Sequence, residues 1–149
     1  MFEVLLIEDD GFKADNIRHF LVEKITDVLF DQAVCLVDAV RYVNSKKYHL
    51  IIVDMAIPSH EGVQGGGSPM SLLNGGLEVI LELDSLGRKD PCVVLTQFHE
   101  VEIAGVQYSV SEASDAIKNI INCDVAGCVQ YADDSDVWKA QLLSIIGRI

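Results

Sequence analysis

Apolar residues in this chain come as short runs separated by longer polar segments with helical spacing. Val4-Leu5-Leu6-Ile7, Leu50-Ile51-Ile52-Val53 and Cys92-Val93-Val94-Leu95 are too short for helices. Continuous runs of this length suit strands buried on both faces of a parallel sheet. Residues 12–30 instead carry a stripe at Ile17, Phe20, Leu21, Ile25, Val28 and Leu29, the period of an amphipathic helix. The pattern predicts strands over 2–8, 33–37, 48–54, 92–96 and 125–130. It predicts helices over 12–30, 39–46, 77–86, 111–122 and 134–147. Asp38 is placed to cap the second helix, Gly87 to end the third, and Ser109 with Glu112 to form a capping box before the fourth.

Five such βα units predict an α/β fold with a parallel sheet covered on both sides. Right-handed crossovers bring all strand C-termini to one edge, where open α/β sheets bind ligands. Two strands deliver carboxylates there: Glu8-Asp9-Asp10 follows the first run and Asp54 the third. Two carboxylates ~4 Å apart repel by about 4 kcal/mol at an effective dielectric near 20. A cluster of acids persists most easily when it holds a cation or shares protons. Two connections leaving the same edge, near 59–76 and 97–110, exceed the usual length of about 2–6 residues and are candidate binding loops. Gly65-Gly66-Gly67 lacks the phosphate-loop pattern and reads as a flexible hinge.

The 149 residues carry 11 basic and 23 acidic side chains, a net charge of −12. That argues against direct nucleic-acid binding, which rests on Lys and Arg against phosphates. Charged residues interrupt every apolar run, so no membrane insertion is expected. The N-terminus enters a strand without a basic region, so no signal peptide is expected. Cys35, Cys92, Cys123 and Cys128 show no CxxC spacing and read as reduced thiols of a cytoplasmic protein. His49, His60 and His99 have no metal-ligand spacing and read as surface or rim residues.

Four motifs in order resemble a response-regulator receiver domain, the aspartate-phosphorylated module of two-component signalling. Val4-Leu5-Leu6-Ile7-Glu8-Asp9-Asp10 is similar to the family's first strand and acidic pair. Ile51-Ile52-Val53-Asp54 with Pro58 resembles the phosphoacceptor strand, and Pro58-Ser59-His60-Glu61-Gly62 its turn. Pro91-Cys92-Val93-Val94-Leu95-Thr96 resembles the strand ending in the switch residue. The resemblance implies a flavodoxin-like (βα)5 fold with strand order 2-1-3-4-5. It also implies one receiver over 1–149 with enlarged loops and no output domain.

By the same resemblance Asp54 accepts a phosphoryl group and Thr96 contacts it. Asp9, Asp54 and the Ala56 carbonyl bind Mg²⁺, with Glu8 helping through water. A histidine kinase or phosphotransfer protein would be the donor, and a downstream protein the target. One departure stands out. The family's lysine at the end of the fifth strand is replaced by Tyr131, and the next lysine along the chain is Lys139 in the last helix. Without that cation the alternative is a phosphorylation-independent pseudo-receiver acting as a binding adaptor. An aspartyl-nucleophile phosphatase would need an acid two residues after Asp54, where Ala56 stands. No enzyme turning over an external substrate is expected.

Overall fold

The computed structural model describes residues 1–61, 71–72 and 75–149. The elements run β1 (Phe2–Ile7), α1 (Gly11–Lys24), β2 (Val28–Ala33), α2 (Leu36–Ser45), β3 (Leu50–Val53), β4 (Ile57–Pro58), β5 (Ser71–Leu72), α3 (Gly75–Ser85), β6 (Cys92–Thr96), β7 (Glu100–Ile103), β8 (Val106–Ser109), α4 (Val110–Ile121), β9 (Gly127–Gln130) and α5 (Val137–Ile146). Five strands form one parallel sheet in the order β2-β1-β3-β6-β9. This is the expected 2-1-3-4-5 order, with two small antiparallel pairs, β4-β5 and β7-β8, added outside it. Among the described residues no helix is long and apolar enough to cross a membrane.

Strand alternation sorts the core into two layers. Leu5, Ile7, Ile51, Val53 and Val94 face α2, α3 and α4, packing against Ala39, Val43, Leu77, Ile80, Ala113 and Ile117. Val4, Leu6, Leu50, Ile52, Val93, Leu95 and Val129 face α1 and α5, against Ala14, Ile17, Leu21, Trp138 and Leu142. Helices on both faces hide the continuous apolar strands from water, which is why those strands need no polar alternation.

Three expectations are corrected. The first helix ends at Lys24 rather than Phe30, and the second strand occupies 28–33 rather than 33–37. Asp27 takes a left-handed conformation, φ 58°, which ends the helical course. β2 is an edge strand whose half-exposed side chains happened to continue the helical stripe. The second helix consequently starts at Leu36 with Cys35 at its N-cap, and Asp38 lies in its first turn.

The 97–110 connection is also not a bare loop. β7 and β8 form a hairpin whose two-residue turn, Ala104-Gly105, has φ of 52° and 80°, both positive as a type I′ turn requires. Val101 and Ile103 turn inward to the α4 side while Glu100 stays exposed. Ser109 does hold the N-cap position of α4, although its hydroxyl meets Ser111 rather than the helix backbone. Most of the 59–76 connection, including the Gly65-Gly66-Gly67 hinge, lies outside the described residues.

Candidate functional site

The site forms where β1 and β3 end side by side. Ile7 is in register with Val53, so Glu8 and Asp54 leave the sheet as neighbours. Backbone bonds from Glu8 N to the Ala33 carbonyl, 2.9 Å, and from Asp54 N to the Ile7 carbonyl, 3.1 Å, extend the ladders one residue further. Period-two alternation puts both carboxylates in phase with Leu6 and Ile52, on the α1 and α5 side. Both are buried, Glu8 at 2% and Asp54 at 4% exposure.

Between them sits an ammonium that the sequence reading missed. Lys13, 1% exposed, places Nζ 2.7 Å from Glu8 Oε2 and 2.9 Å from Asp54 Oδ2. It also donates to the Leu95 carbonyl at 2.8 Å, so all three of its N–H donors have an oxygen partner. The expectation that no lysine lies nearby is therefore corrected: the cation comes from the first turn of α1. A signal was present. Lys13 lies four residues before Ile17, on the same stripe as Ile17, Phe20 and Leu21, where a lysine faces inward.

Asp10 fixes that turn. It is the N-cap of α1, with Oδ1 accepting from Phe12 N at 3.0 Å and Lys13 N at 3.2 Å. Tyr131, at the end of β9, is buried in the same layer. Its ring centroid lies 5.5 Å from Lys13 Nζ, within cation–π range. Its hydroxyl accepts from Asn16 Nδ2 at 2.8 Å, and its ring packs 5.1 Å from that of Trp138. Thr96 is fully buried at the end of β6, and its hydroxyl accepts from Phe98 N at 3.3 Å.

Burial pushes the Glu8 carboxyl up to about 7; Lys13 opposes the rise and Asp54 adds to it. The three buried charges sum to one negative charge when Glu8 is ionised, so the pocket still favours added positive charge.

The opposite wall is a close backbone contact. Gly76 N donates to the Met55 carbonyl at 3.0 Å. A Cβ at Gly76 would run into the Asp54 carbonyl oxygen and stand 2.9 Å from Met55 Cα. Only glycine lets α3 start this near the Asp54 peptide.

Asp9 follows the opposite strand phase and is exposed, so it does not join Glu8 and Asp54 around Lys13. Among the described residues no three His, Cys, Asp or Glu side chains stand close enough together to hold a metal ion. In donor type the edge does suit Mg²⁺, which takes hard oxygens from one or two carboxylates and keeps its waters. Asp54 Oδ1 accepts a long 3.3 Å bond from Ala56 N, and exposed Asp9 is at the same edge.

No family model matches the chain. A curated relative, the Detocs response regulatory protein DtcB of Vibrio alginolyticus, is 31% identical over 149 residues, spanning 96% of this chain and 98% of the relative. The chain belongs to the response-regulator receiver family. A second DtcB, from Enterobacter cloacae, is 24% identical over 97% of the receiver's length and 99% of its own. Solved structures agree on the fold. The receiver domain of sensor histidine kinase PA1611 from Pseudomonas aeruginosa, with magnesium in its active-site cleft, matches at TM-score 0.61 and 17% identity over 99% of this chain and 95% of that one. The signal receiver domain of an HD-domain protein from Pseudomonas fluorescens matches at 0.63 and 12%, over 99% and 92%.

Proposed function

We propose that this receiver accepts a phosphoryl group on Asp54 from a histidine kinase or phosphotransfer protein. It would work as a cytoplasmic module, acting by contact with a downstream protein. The observation that carries this reading is Asp54 itself: a buried carboxylate at a strand end, with an ammonium 2.9 Å from one oxygen.

Such a carboxylate is aimed by its ammonium partner, which also offsets repulsion toward an anionic donor. Oδ1, which is not paired with Lys13, attacks the phosphorus of a phosphoramidate. The O–P bond forms as the N–P bond breaks, and the leaving nitrogen keeps the electron pair and takes up a proton. Thr96 Oγ, one strand over, would donate to a phosphoryl oxygen. Asp9, Asp54 and the Ala56 carbonyl would hold Mg²⁺, with Glu8 reaching it through water, and the bound ion would supply positive charge to the phosphoryl oxygens. The receiver would turn over no external substrate; at most it would promote transfer to and loss from its own aspartate.

The competing adaptor reading rests on the missing lysine at position 131, and Lys13 places an ammonium 5.5 Å from the Tyr131 ring instead. Incubation with Mg²⁺ and a small phosphoramidate should add one acid-stable, hydroxylamine-labile phosphoryl group, absent in Asp54→Ala. No labelling with several donors, together with unchanged partner binding in Asp54→Ala, would favour the adaptor.

A further inference from the structure

Receiver phosphorylation concentrates negative charge at one point, and the described residues offer one buried cation to meet it. Lys13 touches the nucleophile at 2.9 Å, Glu8 at 2.7 Å and the Leu95 carbonyl at 2.8 Å. Its stem descends from α1, while the β9 end contributes only the aromatic face of Tyr131, 5.5 Å from the ammonium. An open cleft of about 380 Å³ runs alongside, lined in part by Phe12, Lys13, Gln97, His99, Gln130 and Tyr131.

We infer that Lys13 is a catalytic residue of phosphoryl acceptance, and that positions 13 and 131 form an exchangeable pair around one charge site. This rests on the reading of Asp54 as the acceptor. When the acyl phosphate forms, Asp54 Oδ2 becomes a carbonyl oxygen and loses most of its negative charge. Lys13 then exchanges that partner for a phosphoryl oxygen, keeping its proton and its bond to Leu95. The ammonium meets more negative charge as the phosphoryl group arrives than it does before, and an interaction stronger in the transition state than in the ground state lowers the barrier.

The exchange also explains why Tyr131 is tolerated. A lysine there would set a second ammonium against the first in a pocket with two carboxylates, whereas a tyrosine supports Lys13 through its ring and anchors α1 through Asn16.

The test compares wild type, Lys13→Met, Lys13→Met/Glu8→Gln and Lys13→Met/Tyr131→Lys in labelling by phosphoramidate with Mg²⁺, with far-UV circular dichroism as the check on folding. Removing one preorganised electrostatic partner should slow labelling about 100-fold, and the swap should recover most of the rate. The Glu8→Gln combination removes one of the two carboxylates left behind, so it tests the rate even if Lys13→Met alone fails to fold. Because Glu8 is itself assigned to the metal site through water, Glu8→Gln alone is labelled beside it, and slower labelling in the double variant than in Glu8→Gln supports the inference.

Wild-type labelling matched by either Met variant, or a folded swap variant no faster than its Lys13→Met parent, overturns the role of Lys13 and leaves Asp54 as acceptor. A wild type that takes no label overturns the acceptor reading and this inference with it.

Discussion

Replacing Lys13 with methionine keeps most of the apolar stem of the side chain and removes the ammonium from its three partners. Two buried carboxylates, Glu8 and Asp54, are then left facing each other. Breaking a buried ion pair by deleting one partner costs about 3–5 kcal/mol. Two carboxylates ~5 Å apart at an effective dielectric near 20 repel by about 3 kcal/mol, in line with that range. The folded variant can relieve the repulsion by taking a proton onto the pair. It then binds more protons than the unfolded chain, so its stability falls as pH rises.

The expected loss relative to wild type is therefore about 4 kcal/mol at pH 8 and about half that at pH 5. Urea unfolding at both pH values, with Trp138 as the fluorescent probe, measures the two differences directly. A loss below about 1 kcal/mol, equal at both pH values, would refute the placement of the ammonium between buried carboxylates.

Other consequences follow from the same geometry. Gly76→Ala should destabilise by about 1–3 kcal/mol through overpacking against the Asp54 peptide, and calorimetry should show the drop together with slower Asp54 labelling. Tyr131→Phe deletes the bond from Asn16 and should cost about 1 kcal/mol while leaving labelling near the wild-type rate. Because burial raises the Glu8 carboxyl to about 7, the folded protein binds the extra proton, and its stability should decline as pH rises from about 4.5 to about 7. Glu8→Gln should flatten that decline in urea titrations across the interval; an unchanged slope would remove Glu8 as its source.

Much of the fold could be read from the chain because three sheet strands, β1, β3 and β6, are buried on both faces and therefore spell continuous apolar runs. Glu8 and Asp54 were legible for the same reason: each is the first polar residue after such a run. The misreadings share a cause in local pattern. Val28 and Leu29 sit on an edge strand but fall in step with Ile17, Phe20, Leu21 and Ile25, and only the left-handed turn at Asp27 separates them. The 100–109 hairpin has arms of only four residues each, so the alternation Glu100-Val101-Glu102-Ile103 was too short to stand out, although Ala104-Gly105 marked the turn. Lys13 was missed because lysines are ordinarily surface residues. Its place on the inward stripe of α1, one turn after an acid cluster, was the stronger physical cue.

Borohydride trapping offers the most direct test of the phosphoacceptor claim. The receiver is exposed to phosphoramidate and Mg²⁺, reduced, and its peptides are mapped by mass spectrometry. An acyl phosphate on Asp54 is reduced to homoserine, so the peptide containing Leu50–Val53 should carry that residue at position 54. Reduction at another aspartate, or at none after labelling has been confirmed, would contradict the account.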